Sequence, residues 1–121
     1  MFTRHQSKDS GTPLGASAFE ILLALADGEH HGSSISSEVE QATKGRIRLM
    51  PGALYRYLKQ MAADGWIADT VKVGDDDARR RYYRLTAVGR SVAQTEAERL
   101  EEVVRVARLR RLLPSASRAA G

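Results

Sequence analysis

No cysteine occurs among the 121 residues, and only 3 are proline. Without cysteine there are no disulfides, no thiolate chemistry and no Cys-type zinc site. No apolar run approaches the roughly 20 residues that a membrane-spanning helix needs. The first thirteen residues are polar and lack the apolar stretch of a secretory signal. The expected location is therefore the cytoplasm. A Gly-rich phosphate loop, a nucleophile elbow and a zincin motif are also missing. Of the 3 histidines, His5 lies near the start and His30-His31 are adjacent in a turn. Adjacent turn residues seldom hold one metal ion together, and no third ligand is spaced beside them. The acidic run Asp75, Asp76 and Asp77 lacks the spaced ligands and closing glutamate of a calcium loop. These absences argue against an enzyme and against a resident metal or cofactor.

What is present is one core and an uneven charge. Hydrophobic residues make up 42% of the chain, enough for a single domain with an appendage. The net charge of +4, from 19 basic and 15 acidic side chains, says less than its distribution. Lys44, Arg46, Arg48, Arg56 and Lys59 follow one another with no acid between. Lys72, Arg79, Arg80, Arg81 and Arg84 come next, set against Asp69 and the run Asp75 to Asp77. Glutamates collect later, at Glu96, Glu98, Glu101 and Glu102. A basic front suggests a surface that meets a polyanion.

Residues 1–13 read as a flexible arm closed by Pro13. Ala18, Ile21, Leu22 and Leu25, widened by Phe19 and Leu23, predict a buried helix over 15–27, with Gly28 ending it. A second helix over 33–43 turns Ile35, Val39 and Ala42 inward and stops at Gly45. Arg46-Ile47-Arg48 has the pattern of a brief strand. Pro51 then suits the first turn of a third helix, where a missing N–H is harmless. Leu54, Leu58 and Met61 mark its buried edge and Gly65 its end. Trp66 to Val73 and Arg79 to Leu85 read as a hairpin about Gly74–Asp77. In its return strand Arg81, Tyr83 and Leu85 share one face, and Arg80, Tyr82 and Arg84 the other. From Ala87 to Leu113 the pattern is helical again, with Thr86 as cap and Pro114 as stop. Glu101 and Arg105 are spaced for an i,i+4 pair. Roughly 39 Å long, this helix outruns so small a body. Its edge of Ala93, Ala97, Leu100, Val103, Val104 and Ala107 therefore calls for a second chain. The fold class is mainly α (α+β). A winged helix-turn-helix domain over 14–86 is followed by a dimerisation helix over 87–113 and a disordered tail over 114–121.

The third helix is the candidate reader of double-stranded DNA. A recognition helix brings its N-terminal residues against base edges, so that end must be small. Pro51, Gly52 and Ala53 satisfy this. Arg56 follows one turn later, with the two-bond reach to guanine that gives discrimination. Lys59 lies on the adjacent exposed face, and Tyr55 is placed to donate its hydroxyl to phosphate. Arg79, Arg80 and Arg81 form a second anchor for backbone phosphate or the minor groove. The aspartate run beside them would be repelled, so the tip is expected to turn away. The competing arrangement is neutralisation of those aspartates by the arginines. Ser33, Ser34, Lys44 and Arg48 complete the candidate set, the serines as donors at a helix N-terminus or simply as caps.

With these motifs in view, the chain resembles the PadR family of bacterial transcriptional regulators over about residues 14–90. The likeness runs through His31-Gly32 with Ile35, Pro51-Gly52-Ala53-Leu54-Tyr55-Arg56 with Leu58, and Asp64-Gly65-Trp66-Ile67. It ends with Arg80-Arg81-Tyr82-Tyr83-Arg84-Leu85-Thr86 and Gly89-Arg90. The resemblance implies a winged helix, a C-terminal dimerisation helix and repression at near-palindromic operators. Two positions depart from the family pattern: Ser33 stands where a tyrosine is usual, and Ala53 where a threonine is usual. The length matches the family's compact subgroup, some of whose members bind planar aromatic drugs in a dimer cavity lined by aromatics of the last helix. This last helix has no aromatic residue, so that kind of ligand site is not expected.

The resulting expectation is a homodimeric, sequence-specific repressor. The alternatives are a winged helix used for protein contact, or a sensor that responds to a small-molecule effector or metal.

Overall fold

A computed structural model describes residues 13–73, 76 and 78–115. The expected arm up to residue 12, the tail from 116, and Asp75 and Asp77 lie outside the described residues. Four helices and three short strands follow in the order α1 (Ala16–Ala24), β1 (His30–His31), α2 (Gly32–Ala42), α3 (Pro51–Ala63), β2 (Ile67–Val73), β3 (Arg79–Leu85) and α4 (Ala87–Leu109). The strands form one antiparallel sheet with β3 in the centre, between β1 and β2. The hairpin expected from the sequence thus has a third member. His30 pairs with Tyr83 and His31 with Tyr82.

One core holds these elements together. Ile21, Leu22 and Leu25 from α1 and its end meet Ile35 and Val39 of α2, and Leu54, Leu58 and Met61 of α3. Trp66, Ile67, Tyr83 and Val92 close it from the sheet and α4. Burying each such side chain is worth about 1.5–3 kcal/mol. Two inward assignments from the helical spacing fail: Leu23 is 45% exposed, and Ala42 is exposed at the last turn of α2. Helix α1 also stops three residues earlier than the spacing suggested, with Leu25 as its C-cap.

Three helix ends are closed by the same backbone device, in which two N–H groups beyond the helix bond back into its last turn. At α2 the donors are Lys44 to Gln41 and Gly45 to Glu40. At α3 they are Gly65 to Ala62 and Trp66 to Met61, and at α4 Arg111 to Arg108 and Leu112 to Ala107. The device needs a left-handed residue just past the helix. Gly65 fills that place at φ 81°, but at α2 and α4 it falls to Lys44 at φ 54° and Arg111 at φ 65°. Side chains there raise the backbone energy by about 1–2 kcal/mol.

The segment Arg46-Ile47-Arg48 is not a strand. The Thr43 hydroxyl organises it instead, donating to the Val39 carbonyl at 2.8 Å and accepting from the Ile47 N–H at 3.0 Å. That side chain takes up the backbone groups a strand would have paired.

Helix α4 begins tightly attached and ends free. Thr86 accepts from the Gly89 N–H at 3.0 Å and donates to the Gly65 carbonyl at 2.6 Å. A Cβ on Gly89 would lie 1.9 Å from the Trp66 carbonyl oxygen, so the crossing of α4 over the start of β2 admits only glycine. About two turns on, Glu96 is buried and receives two bonds from Arg99, at 3.0 and 2.6 Å. Past that point the helix leaves the body. Val103 is 50% exposed and Leu109 67%. The helix ends at Leu109 rather than Leu113, a length of roughly 35 Å. The expected Glu101–Arg105 pair is replaced by a two-bond pair between Glu102 and Arg105, one residue closer along the helix.

Candidate nucleic-acid interface

Helix α3 lies with one edge in the core and the other in solvent. Leu54, Leu58 and Met61 are buried, while Pro51, Gly52, Tyr55, Arg56 and Lys59 are exposed. The spacing of three and four residues places Gly52, Tyr55, Arg56 and Lys59 on one side. Ala53 is half-buried and so belongs partly to the packed edge. Pro51 is the first helical residue, Met50 is the N-cap, and no side chain caps this end. The Gly52 and Ala53 N–H groups are therefore left to a partner outside the helix. The Arg56 guanidinium lies along the same turn, 3.9 Å from where a Gly52 Cβ would stand.

Tyr55 joins α3 to α2. A Cβ on Gly32 would sit 2.4 Å from the Tyr55 hydroxyl, so the ring tip rests against the glycine that opens α2. Next to this contact, Ser34 Oγ and His30 Nδ1 are 2.7 Å apart, and the Ser34 N–H donates to His31 Nδ1 at 3.4 Å. Ser33 Oγ lies 3.3 Å from the same His31 nitrogen. Both serine hydroxyls are thus engaged by histidines, and His31 serves as the N-cap of α2. The composition of the turn did not reveal this role for the two histidines. Among the described residues no three His, Cys, Asp or Glu side chains gather in a way that could hold a metal ion.

The structure brings Tyr55, Lys59 and Arg81 together. With Leu58, Ala62, Asp69 and Tyr83 they line an open cleft of about 350 Å³ between α3 and the wing formed by β2 and β3. Burial pushes the Tyr83 hydroxyl above its ordinary pKa, with Tyr55 adding to the shift. Lys44 and Arg48 lie elsewhere, at the far end of α2. Lys44 lines a separate groove with Glu20, Arg46 and Ile47. Arg48 stands 3.6 Å from Glu40 in an exposed ion pair.

The wing departs from the simplest reading of its arginines. Register places Thr70, Lys72, Arg80, Tyr82 and Arg84 on one face and Asp69, Val71, Arg79, Arg81 and Tyr83 on the other. On the first face Arg80 grips Asp76 with two bonds, at 3.0 and 2.7 Å. That fork holds the Asp76 carboxyl below the usual carboxylate range and raises the Arg80 guanidinium. On the second face Arg81 donates to Asp69, which likewise raises the Arg81 guanidinium. Lys72 bonds to Glu29 and lies 4.8 Å from the centre of the Tyr82 ring, and His31 meets the same ring edge-on. The neutralisation that competed with DNA contact in the sequence is therefore realised between Arg80 and Asp76, whereas Arg81 is taken by Asp69, outside the expected run. Arg79, the third of the arginines, is exposed.

A compact helical body, a helix α3 with an exposed basic face, and a three-stranded sheet whose β2–β3 hairpin forms the wing define a winged helix-turn-helix protein. The Transcriptional regulator PadR-like family matches residues 21–95. Transcriptional regulator Rv3488 of Mycobacterium tuberculosis is 36% identical over 85 residues, which span 70% of this chain and 76% of that protein. A PadR-like transcriptional regulator from Bacillus cereus has the same fold, with a TM-score of 0.70 and 21% identity over 84% of this chain and 94% of the other. Bacillus subtilis PadR, solved in complex with operator DNA, gives a TM-score of 0.59 and 23% identity, covering 73% of this chain and 48% of that one. The chain belongs to the PadR-like family of transcriptional regulators, which are not enzymes.

Proposed function

We propose that the protein is a homodimeric repressor that binds a near-palindromic operator through α3 and the wing. The observation that carries this reading is the exposed face of α3, where Gly52, Tyr55, Arg56 and Lys59 stand clear of the core with no acid among them. In this reading Pro51, Gly52 and Ala53 let the helix approach base edges, and Arg56 reads a base. Tyr55, Lys59 and Arg79 hold phosphate, as do Arg80 and Arg81 once released from their carboxylates. Ser33, Lys44 and Arg48 add outer phosphate contacts, and Ser34 joins them when its hydroxyl turns from His30. Bacillus subtilis PadR, solved in complex with operator DNA, supports DNA as the partner. The exposed late part of α4, with Val103 and Val104, supplies the apolar surface for a second copy alongside Leu100 and Ala107. Ala97 borders that surface, whereas Ala93 packs against its own core.

Two substitutions separate reading from holding. Arg56→Ala should lower discrimination at one base pair by about 1–3 kcal/mol. Arg79→Ala should weaken operator and random duplex alike and reduce the salt slope by about 1. Competition binding on both duplexes at several salt concentrations measures the two effects. Parent-like behaviour from both variants would overturn the assignment.

A further inference from the structure

The wing is rich in cations, yet most of them already have an anion. Arg80 is held by Asp76 in a two-bond fork, Arg81 by Asp69, and Lys72 by Glu29. These pairs lie on both faces of the β2–β3 ladder, and among the described residues they leave one unpaired arginine on each face, Arg84 and Arg79. The exposed face of α3 is different: among the described residues, neither Arg56 nor Lys59 takes part in an ion pair. The two halves of the interface thus enter any encounter with a polyanion in different electrostatic states.

We propose that Asp76 and Asp69, together with Glu29, are built-in counter-anions that compete with DNA phosphate for the wing's cations. The inference rests on the DNA-binding reading above. A carboxylate and a phosphate offer an arginine the same pair of oxygens, and the fork of Arg80 fits either. The wing can take a phosphate only by giving up a carboxylate, which then faces the same negative backbone. An arginine already paired with a carboxylate brings little net positive charge to the duplex, so it displaces fewer of the counterions condensed on DNA and adds less to the salt dependence than a bare one. The wing therefore grips weakly on its own and strengthens the complex once α3 is engaged. Asp69 fits this role by position, since it lies diagonal to Arg81 across the β2–β3 ladder and on the wall of the cleft shared with α3.

The test uses the full chain and a random-sequence duplex, so that no operator is needed. Asp76→Asn keeps the shape of the side chain and removes its charge. It should tighten binding by about fivefold, the upper range for an exposed ion pair, and steepen the log–log salt slope by about 0.9. Arg80→Ala should weaken binding in both backgrounds, but by a larger factor in the Asp76→Asn background, where it should cancel the gain. Circular dichroism and the thermal midpoint of each variant exclude misfolding as the source of a change. Asp69→Asn with Arg81→Ala repeats the cycle on the opposite face. Equal gains from Asp76→Asn with and without Arg80 would overturn the proposal, because the aspartate would then act only by general repulsion. No gain at all would overturn it as well. If parent and variants alike showed no salt-sensitive duplex binding, the DNA-binding reading itself would be the one to fall.

Discussion

At the residue scale, the functional face depends on a few positions where the backbone leaves little choice. A side chain on Gly32 would displace the Tyr55 hydroxyl that occupies that space, so this glycine sets where the Tyr55 ring of α3 rests against the start of α2. Lys44 is the opposite case, a side chain in a left-handed place that favours glycine. Strain retained at a surface residue is a sign of function when something else depends on that side chain. Lys44→Gly should therefore stabilise the fold by about 1 kcal/mol, read as a higher urea midpoint, while weakening duplex binding by roughly the share of one phosphate contact. Gain of stability without loss of binding would remove Lys44 from the interface. These roles were only partly legible in the sequence. Gly52, Arg56 and Lys59 could be placed from helical spacing alone, because a single helix determines which side they share. The partners of Arg80 and Arg81 could not, since they depend on which residue of β2 stands opposite which residue of β3.

At the element scale, the helices that carry core side chains lay close to where their periodicity put them, and the short pieces did not. The two residues of β1 have no internal period. Only their pairing with Tyr82 and Tyr83 makes them a strand. Arg46-Ile47-Arg48 has the alternation of a strand, but the Thr43 hydroxyl satisfies its backbone first. Along α4 the sequence set Glu96 in one group with Glu98, Glu101 and Glu102, yet Glu96 is buried and also accepts a bond from the Leu14 N–H. It thereby ties the segment before α1 to the helix that leaves the body. The Arg99 bonds, followed by the Leu14 bond, hold the Glu96 carboxyl below its usual range against the opposing effect of burial. A carboxyl whose folded pKa is lowered stabilises the fold fully above the unfolded value of about 4.3 and loses that contribution as pH falls through the folded value. Glu96→Gln should therefore lower the urea midpoint at neutral pH, and the gap from the parent should shrink as pH drops below about 4. A gap independent of pH would show that the charge on Glu96 contributes nothing to the docking of α4.

At the scale of the whole molecule, one chain presents one exposed basic face on α3 and one apolar helix end left in solvent. The body covers the first half of α4, through Gly89, Val92 and Glu96, and leaves Val103, Val104 and Leu109 in water. In the proposed dimer, pairing two copies along the second half of α4 would bury this surface and set two α3 helices about a twofold axis. Length and periodicity made the overhang visible in the sequence, although the helix proved to end four residues sooner. The central claim is that paired chains place two α3 helices in successive major grooves on one side of the duplex. Selection from random duplexes tests it most directly, because a single experiment returns both the half-site sequence and the half-site spacing. The account predicts an inverted repeat with centres about 10 base pairs apart, occupied by two chains per site. Recovery of an isolated half-site bound by one chain, or of no preferred sequence, would contradict it.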